Sequence, residues 1–160
     1  VAYRKNLREF CRRMRLLEKE LVAGKQRRWF VGVPVIVAEQ QEGFLRFLGC
    51  DVVGVFPREE SLTPADLHQL LSLGRARGVR VVVDNLQSGS HVGQQIATRL
   101  GVACVVLSNF PGAFPGTPTI ETTVRENLRR LADGCSHNER KATLGLFYQH
   151  ALTERTMRGG

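Results

Sequence analysis

Residues 80–97 read RVVVDNLQSGSHVGQQIA, and this stretch decides the fold. Consecutive valines make a buried strand, Asp84 ends it, and a polar loop follows. Val92, Ile96, Ala97 and Leu100 then fall on one side of a helix. A strand that delivers a carboxylate into the loop at its C-terminal end is how open α/β sheets build ligand sites. A strand-end acid is also an ordinary turn former, so both roles stand open for Asp84 at this point.

Outward from that unit the same rhythm recurs. Phe30–Ala38 (FVGVPVIVA), Asp51–Phe56 (DVVGVF), Val79–Asp84 and Ala103–Leu107 (ACVVL) are short, nearly continuous apolar runs, the pattern of strands covered on both faces. Pro34 interrupts the first, which argues for an edge position or a late start. Between the runs lie helical segments. Phe44, Leu45, Phe47 and Leu48 mark one, closed by Gly49. The next opens on Thr63, Pro64 and Asp66, a capped start with proline in the first turn. Its Leu67, Leu70, Leu71 and Leu73 are expected to face the sheet, and Gly78 ends it. Alternation of this kind predicts a parallel sheet with every strand C-terminus on one edge. The fold class is therefore α/β: a single Rossmann-like lobe, a four-stranded parallel sheet flanked by helices and preceded by a long helix.

That long helix spans residues 2–23, where Tyr3, Leu7, Phe10, Met14, Leu17 and Leu21 form one apolar stripe. Gly24 is its expected stop. After the fourth strand, residues 109–119 (NFPGAFPGTPT) break regular structure and suggest a shaped loop. Ile120, Val124, Leu128 and Leu131 then stripe another helix, with Gly134 as its stop. Ser136 and Glu139 are expected to cap a last helix running to about Thr156. The domain organisation is thus 1–24 long helix, 30–135 βα lobe, and 136–160 C-terminal helix and frayed tail.

The chain has 160 residues and a formal net charge of +8, and its basic excess is local. Residues 1–30 hold Arg4, Lys5, Arg8, Arg12, Arg13, Arg15, Lys19, Lys25, Arg27 and Arg28 against Glu9, Glu18 and Glu20. No aromatics interleave with those arginines as a base-stacking surface needs, so nucleic acid is not an expected partner. The four cysteines, Cys11, Cys50, Cys104 and Cys135, have no zinc-finger spacing. They read as buried thiols or as one or two disulfides, with Cys50 and Cys104, in apolar surroundings, favoured as buried thiols.

Chemistry is expected where the strands end. Glu39, Asp84, Ser108 and Asn109 share one rim if the sheet is parallel, and oxygen donors so placed suit a hard cation. His91 is expected on an exposed helix N-terminus, and His68 on a helix surface. There is no GxGxxG after the first strand, no GxxxxGK[ST] and no GxSxG. A Ser108–His91–Asp84 triad has no local support, and the chain is not read as an enzyme.

Five segments in order carry a family resemblance: AYRKNLREFCRRMRLLEKELVAG with Asn6, PVIVAEQQEGFLRFLG, VVGVFPREESLTPADLHQLL, VVVDNLQSGSHVGQQIATRLG, and VVLSNFPG followed by a helix with Asn127. Together they resemble the C-terminal lobe of the metal-binding solute-binding proteins of zinc, manganese and iron ABC transporters. The resemblance implies a role as the extracytoplasmic solute-binding component, or one lobe of it, for divalent metal ions. It places metal-ligand positions at Glu39 (a histidine in the family), Asp84 (an acid, one methylene shorter) and Ser108 (replacing an acid). The cargo it implies is a divalent ion, Zn, Mn or Fe, held weakly or not at all by this lobe alone. Loss of the imidazole shifts preference toward harder ions or a non-metal solute. The implied partners are a membrane permease and an N-terminal lobe. The implied location is periplasmic or extracytoplasmic, with lipid anchoring open to the full-length protein. A non-transport interaction domain of the same fold, having lost metal binding, is the alternative. The resemblance also explains the long helix as one that spans both lobes, which leaves Tyr3, Leu7 and Phe10 uncovered here and favours self-association through residues 2–23.

Overall fold

The computed structural model describes residues 2–23, 28–89 and 91–136. Its elements follow in the expected order: α1 (Ala2–Ala23), β1 (Pro34–Ala38), α2 (Glu42–Leu48), β2 (Asp51–Phe56), α3 (Pro64–Ala76), β3 (Val81–Asn85), α4 (His91–Leu100) and β4 (Ala103–Leu107). A further helix, α5, covers 120–136. The four strands form one parallel sheet in the order β2-β1-β3-β4.

Each strand is apolar throughout because alternate residues feed different layers. Val35, Val37, Val81, Val83, Val105 and Leu107 pack with Leu45, Leu48, Leu128 and Leu131 from α2 and α5. Ile36, Ala38 and Val82 pack with Leu70 and Leu71 of α3 and Val92, Ile96 and Ala97 of α4. A half-exposed sheet would have needed alternating polar residues; covering both faces removes that constraint.

Local chemistry sets the element ends. Thr63 and Asp66 form the capping box: Thr63 Oγ1 accepts the Asp66 N–H at 3.2 Å, and the Thr63 N–H donates to Asp66 Oδ2 at 3.0 Å. Gly49 closes α2 in the left-handed conformation, φ 89°, where a side chain would be strained.

Several expectations change. Of the two readings of Pro34, the late strand start holds and the edge position does not: the proline opens β1, which lies inside the sheet, so no ladder donor is missing. Phe30 instead belongs to a turn, its carbonyl accepting the Val33 N–H at 3.1 Å. β3 starts later than expected because the Val79 N–H is taken by the Gly74 carbonyl at the end of α3, at 2.9 Å. It also ends later, so Asn85 is a strand residue. Gly134 does not stop α5. The helix runs through it, and a Cβ there would overlap Val105 of β4, so the glycine permits close helix–sheet approach. Ser136 is not a cap but a helical residue, donating to the Ala132 carbonyl at 2.9 Å. Leu73 and Ile120 are exposed, not inward. The Gly24 stop, His137, His150, and the last helix and tail lie outside the described residues.

α1 divides along its length. Leu17 is buried and Leu21 packs on the core, while Tyr3, Leu7 and Phe10 are 77%, 47% and 40% exposed. Arg125–Glu20 at 2.8 Å and Arg13–Glu121 at 3.4 Å link α1 to α5. Both pairs are surface bridges, each worth about 1 kcal/mol or less.

The strand order fixes where a ligand could sit. The chain leaves β1 for β2 on one side and returns to β3 on the other, so the direction of winding reverses between the parallel strands β1 and β3. The crevice beyond the C-terminal ends of those strands is the usual ligand position in open α/β sheets.

Candidate functional site

The rim holds Glu39 after β1, Asp84 and Asn85 at the end of β3, and Ser108 and Asn109 after β4, as the parallel sheet requires. The side chains behave differently from one another.

Asp84 has the same parity as Val82, which packs in the α3/α4 layer. Its carboxylate therefore lies under the start of α4. Oδ2 accepts the Gly93 N–H at 2.8 Å and Oδ1 accepts the Asn85 N–H at 2.7 Å. The residue is 1% exposed. A Cβ on Gly93 would overlap this carboxylate, so the glycine makes room for it. Burial pushes the Asp84 carboxyl above the usual range, while the two backbone N–H donors and nearby His91 oppose that shift. Negative charge at a helix N-terminus is favourable, and here it satisfies a donor that the first helical turn leaves without an intrahelical partner. Cys104 feels the same burial and the Asp84 charge, and its thiol is pushed up to about 12.

Ser108 is buried and occupied. Its Oγ accepts from Gln87 Nε2 at 2.8 Å and from the Phe110 N–H at 3.1 Å, and donates to the Phe110 carbonyl at 3.1 Å. Asn127 of α5 clamps its backbone from both sides: Oδ1 accepts the Ser108 N–H at 3.1 Å and Nδ2 donates to the Ser108 carbonyl at 2.8 Å. Glu39 opens a single 3-10 turn, Glu39–Gln41, and is exposed.

Neutral amides occupy the middle of the rim. Gln41, 1% exposed, donates through Nε2 to Asn109 Oδ1 at 2.7 Å and to Asn85 Oδ1 at 3.0 Å. Asn85 Nδ2 donates to Ser88 Oγ at 2.9 Å, and Gln87 Oε1 accepts the Asn109 N–H at 3.2 Å. These bonds tie the ends of β1, β3 and β4 across the sheet's reversal point.

The structure thus brings Glu39, Asp84 and Ser108 to one edge of the sheet, with both Asp84 oxygens and Ser108 Oγ hydrogen-bonded within the protein. Among the described residues no three His, Cys, Asp or Glu side chains come together as a group that could hold a metal ion. Gln41, Asn85, Gln87 and Gly93 were missed as site residues. The signal available was the run of amides beside each strand-end acid, together with strand parity, which puts Asp84 on the same face as Val82. His91 and His68 are exposed, as expected.

No family model matches the sequence, and no curated protein matches it. Solved structures do match the fold. A mutant of the laminin-binding adhesin Lmb of Streptococcus agalactiae superposes with TM-score 0.65 at 16% identity, over 83% of this chain and 51% of the adhesin. The Cd-bound periplasmic metal-binding protein of Candidatus Liberibacter asiaticus gives 0.58 at 18% identity, over 82% and 51%. The solute-binding protein FpvC of Pseudomonas aeruginosa, in complex with Ni²⁺, gives 0.55 at 21% identity, over 88% and 52%. The chain has the fold of metal-binding solute-binding proteins and spans about half the length of those it matches. These neighbours are solute-binding and adhesin proteins rather than enzymes. Among the described residues no helix is long and apolar enough to cross a membrane.

Proposed function

We propose that this chain is the C-terminal lobe of an extracytoplasmic solute-binding component of an ABC transporter for divalent metal ions. An upstream lobe would close over the rim, and a membrane permease would receive the cargo. The observation that carries this reading is the fold: a four-stranded parallel lobe behind a long helix, matching about half of each metal-binding neighbour. In it, Glu39 is this lobe's exposed oxygen donor to the metal. Asp84 stands at a second such position but spends both oxygens on backbone N–H groups, Ser108 stands at a third, and the second lobe supplies the remaining ligands. The exposed Tyr3, Leu7 and Phe10 of α1 are where the upstream lobe packs.

A second reading is favoured by one specific observation. Both oxygens of Asp84 accept backbone N–H groups, and Gln41, Asn85 and Asn109 bond to each other at the rim. A lobe that kept the fold and gave up metal binding would look this way. Calorimetric titration of this chain and of the two-lobed protein with Zn²⁺ and Mn²⁺ separates the readings. Micromolar or tighter binding by the two-lobed protein supports metal transport; no heat from either supports the second reading.

A further inference from the structure

Helix α1 carries a second stripe besides its apolar one. At about 100° per residue, Arg4, Lys5, Arg8, Arg12, Arg15 and Lys19 fall within one sector of about 100°. The middle of that sector lies about 150° round the helix from the middle of the apolar stripe. All six side chains are exposed. From Arg4 to Lys19 the row is about 23 Å long. Arg4, Arg8 and Arg12 follow one another at four-residue steps, as do Arg15 and Lys19, and like charges at that spacing weaken a helix.

The protein itself does little to neutralise this row. Glu9 meets Arg12 at 2.8 Å, while Glu20 is taken by Arg125 of α5. Among the described residues, Arg4, Lys5, Arg8, Arg15 and Lys19 have no acidic partner within salt-bridge distance. The row also points away from the lobe. Arg13 and Glu20, which bridge to α5, and the buried Leu17 lie on the other side of the helix. The stripe of Tyr3, Leu7 and Phe10 is likewise outside the row, so packing of an upstream lobe there leaves the cations uncovered. Two exposed aliphatic side chains border them. Leu16, 53% exposed, is one turn from Arg12 and Lys19, and Val22, 49% exposed, is one turn beyond Lys19. A soluble polyanion meets cations through its phosphates or sulfates and has no use for aliphatic neighbours. An anionic bilayer takes both, cations at its headgroups and apolar side chains at the acyl boundary.

We propose that the basic face of α1 docks on an anionic lipid bilayer. The row from Arg4 to Lys19 lies along the headgroup phosphates, and Leu16 and Val22 rest against the lipid on its two borders. The inference does not depend on the cargo of the lobe, because vesicle binding and metal binding are read in separate experiments and fail separately.

The test is co-sedimentation of the chain with two kinds of vesicle, phosphatidylcholine alone and an equal mixture of phosphatidylcholine and phosphatidylglycerol. Protein is kept at a concentration where sedimentation shows a monomer. Binding is expected to the mixed vesicles only, and to weaken with added salt, which screens the charges. The double variant Arg8→Gln/Arg15→Gln, changed at two exposed positions, is expected to bind about 25-fold more weakly, about fivefold for each charge removed. Leu7→Ser, on the apolar stripe, is expected to bind as the wild type does. Equal binding to both kinds of vesicle, or mixed-vesicle binding unchanged in the double variant, overturns the inference. A loss in Leu7→Ser as large as in the double variant also overturns it, since the apolar stripe would then be what meets the lipid. A chain that is retained on heparin but ignores the mixed vesicles overturns it in favour of a sulfated polysaccharide.

Discussion

Asp84 Oδ2 and the Gly93 N–H are 2.8 Å apart, and the missing side chain of Gly93 is what lets a buried carboxylate sit that close to a helix. The pair ties the end of β3 to the first turn of α4. Asp84→Ala would strip the acceptor from two backbone donors in a buried setting. Each orphaned donor costs about 1–3 kcal/mol, so a loss of about 2–6 kcal/mol is expected in urea unfolding. Gly93→Ala should destabilise as well, because the added methyl has only the carboxylate to displace.

The same residue gives a pH signature with a definite sign. The folded Asp84 carboxyl is shifted up by burial from its ordinary 3.8. The folded state therefore binds this proton more tightly than the unfolded chain does. Its contribution to stability is greatest below pH 3.8, declines as pH rises through the raised value, and is flat above it. Unfolding free energy measured across that window in Asp84→Asn should lack this declining component.

Gly134 offers a test in which helix propensity and packing disagree. Propensity alone makes Gly134→Ala stabilising by about 1 kcal/mol in a helix interior. The new methyl would overlap Val105, and overpacking of this kind costs about 1–3 kcal/mol. The expected outcome is a lower melting temperature than wild type; a rise would show that α5 can move away from β4 at little cost.

Cys50 and Cys104 both have thiols pushed up to about 12, chiefly by burial. Thiolate, not thiol, reacts with disulfide reagents. At pH 8 both should resist Ellman's reagent in the native protein and react once guanidinium unfolds it, as mapped by mass spectrometry. Rapid native labelling at either position would show that the lobe opens readily there.

The exposed half of α1 carries its own expectation. Tyr3, Leu7 and Phe10 are exposed in a segment that also holds Arg4, Lys5 and Arg8. Apolar contact would drive two copies together while like charges oppose them. Sedimentation should show self-association that strengthens with added salt, because salt screens surface charge, and that Leu7→Glu abolishes. A clean monomer at high concentration and high salt would count against it.

Much of the architecture is legible in the residues. The alternation of apolar runs with capped helical segments gives the sheet, and Thr63–Pro64–Asp66 and Gly49 give element ends, because their causes are local. What is not legible depends on tertiary proximity. Gly134 reads as a stop until Val105 is known to lie beneath it. Pro34 reads equally as an edge signal or a late strand start until the chain's return to β3 places β1 inside, with the proline as its first residue. For the rim, the sequence locates the right positions but not their directions. Which layer Val82 packs in decides that Asp84 turns toward α4, and only the folded sheet brings Gln41 to Asn85 and Asn109.

The central claim is that Asp84 holds α4 in place and does not present its carboxylate to a cargo. Isothermal titration of the two-lobed protein with Zn²⁺ and Mn²⁺, wild type against Asp84→Asn with folding checked by circular dichroism, tests it most directly. The expected result is the same affinity, or the same absence of binding, in both proteins. Micromolar or tighter binding in the wild type that vanishes in a folded Asp84→Asn variant would contradict it.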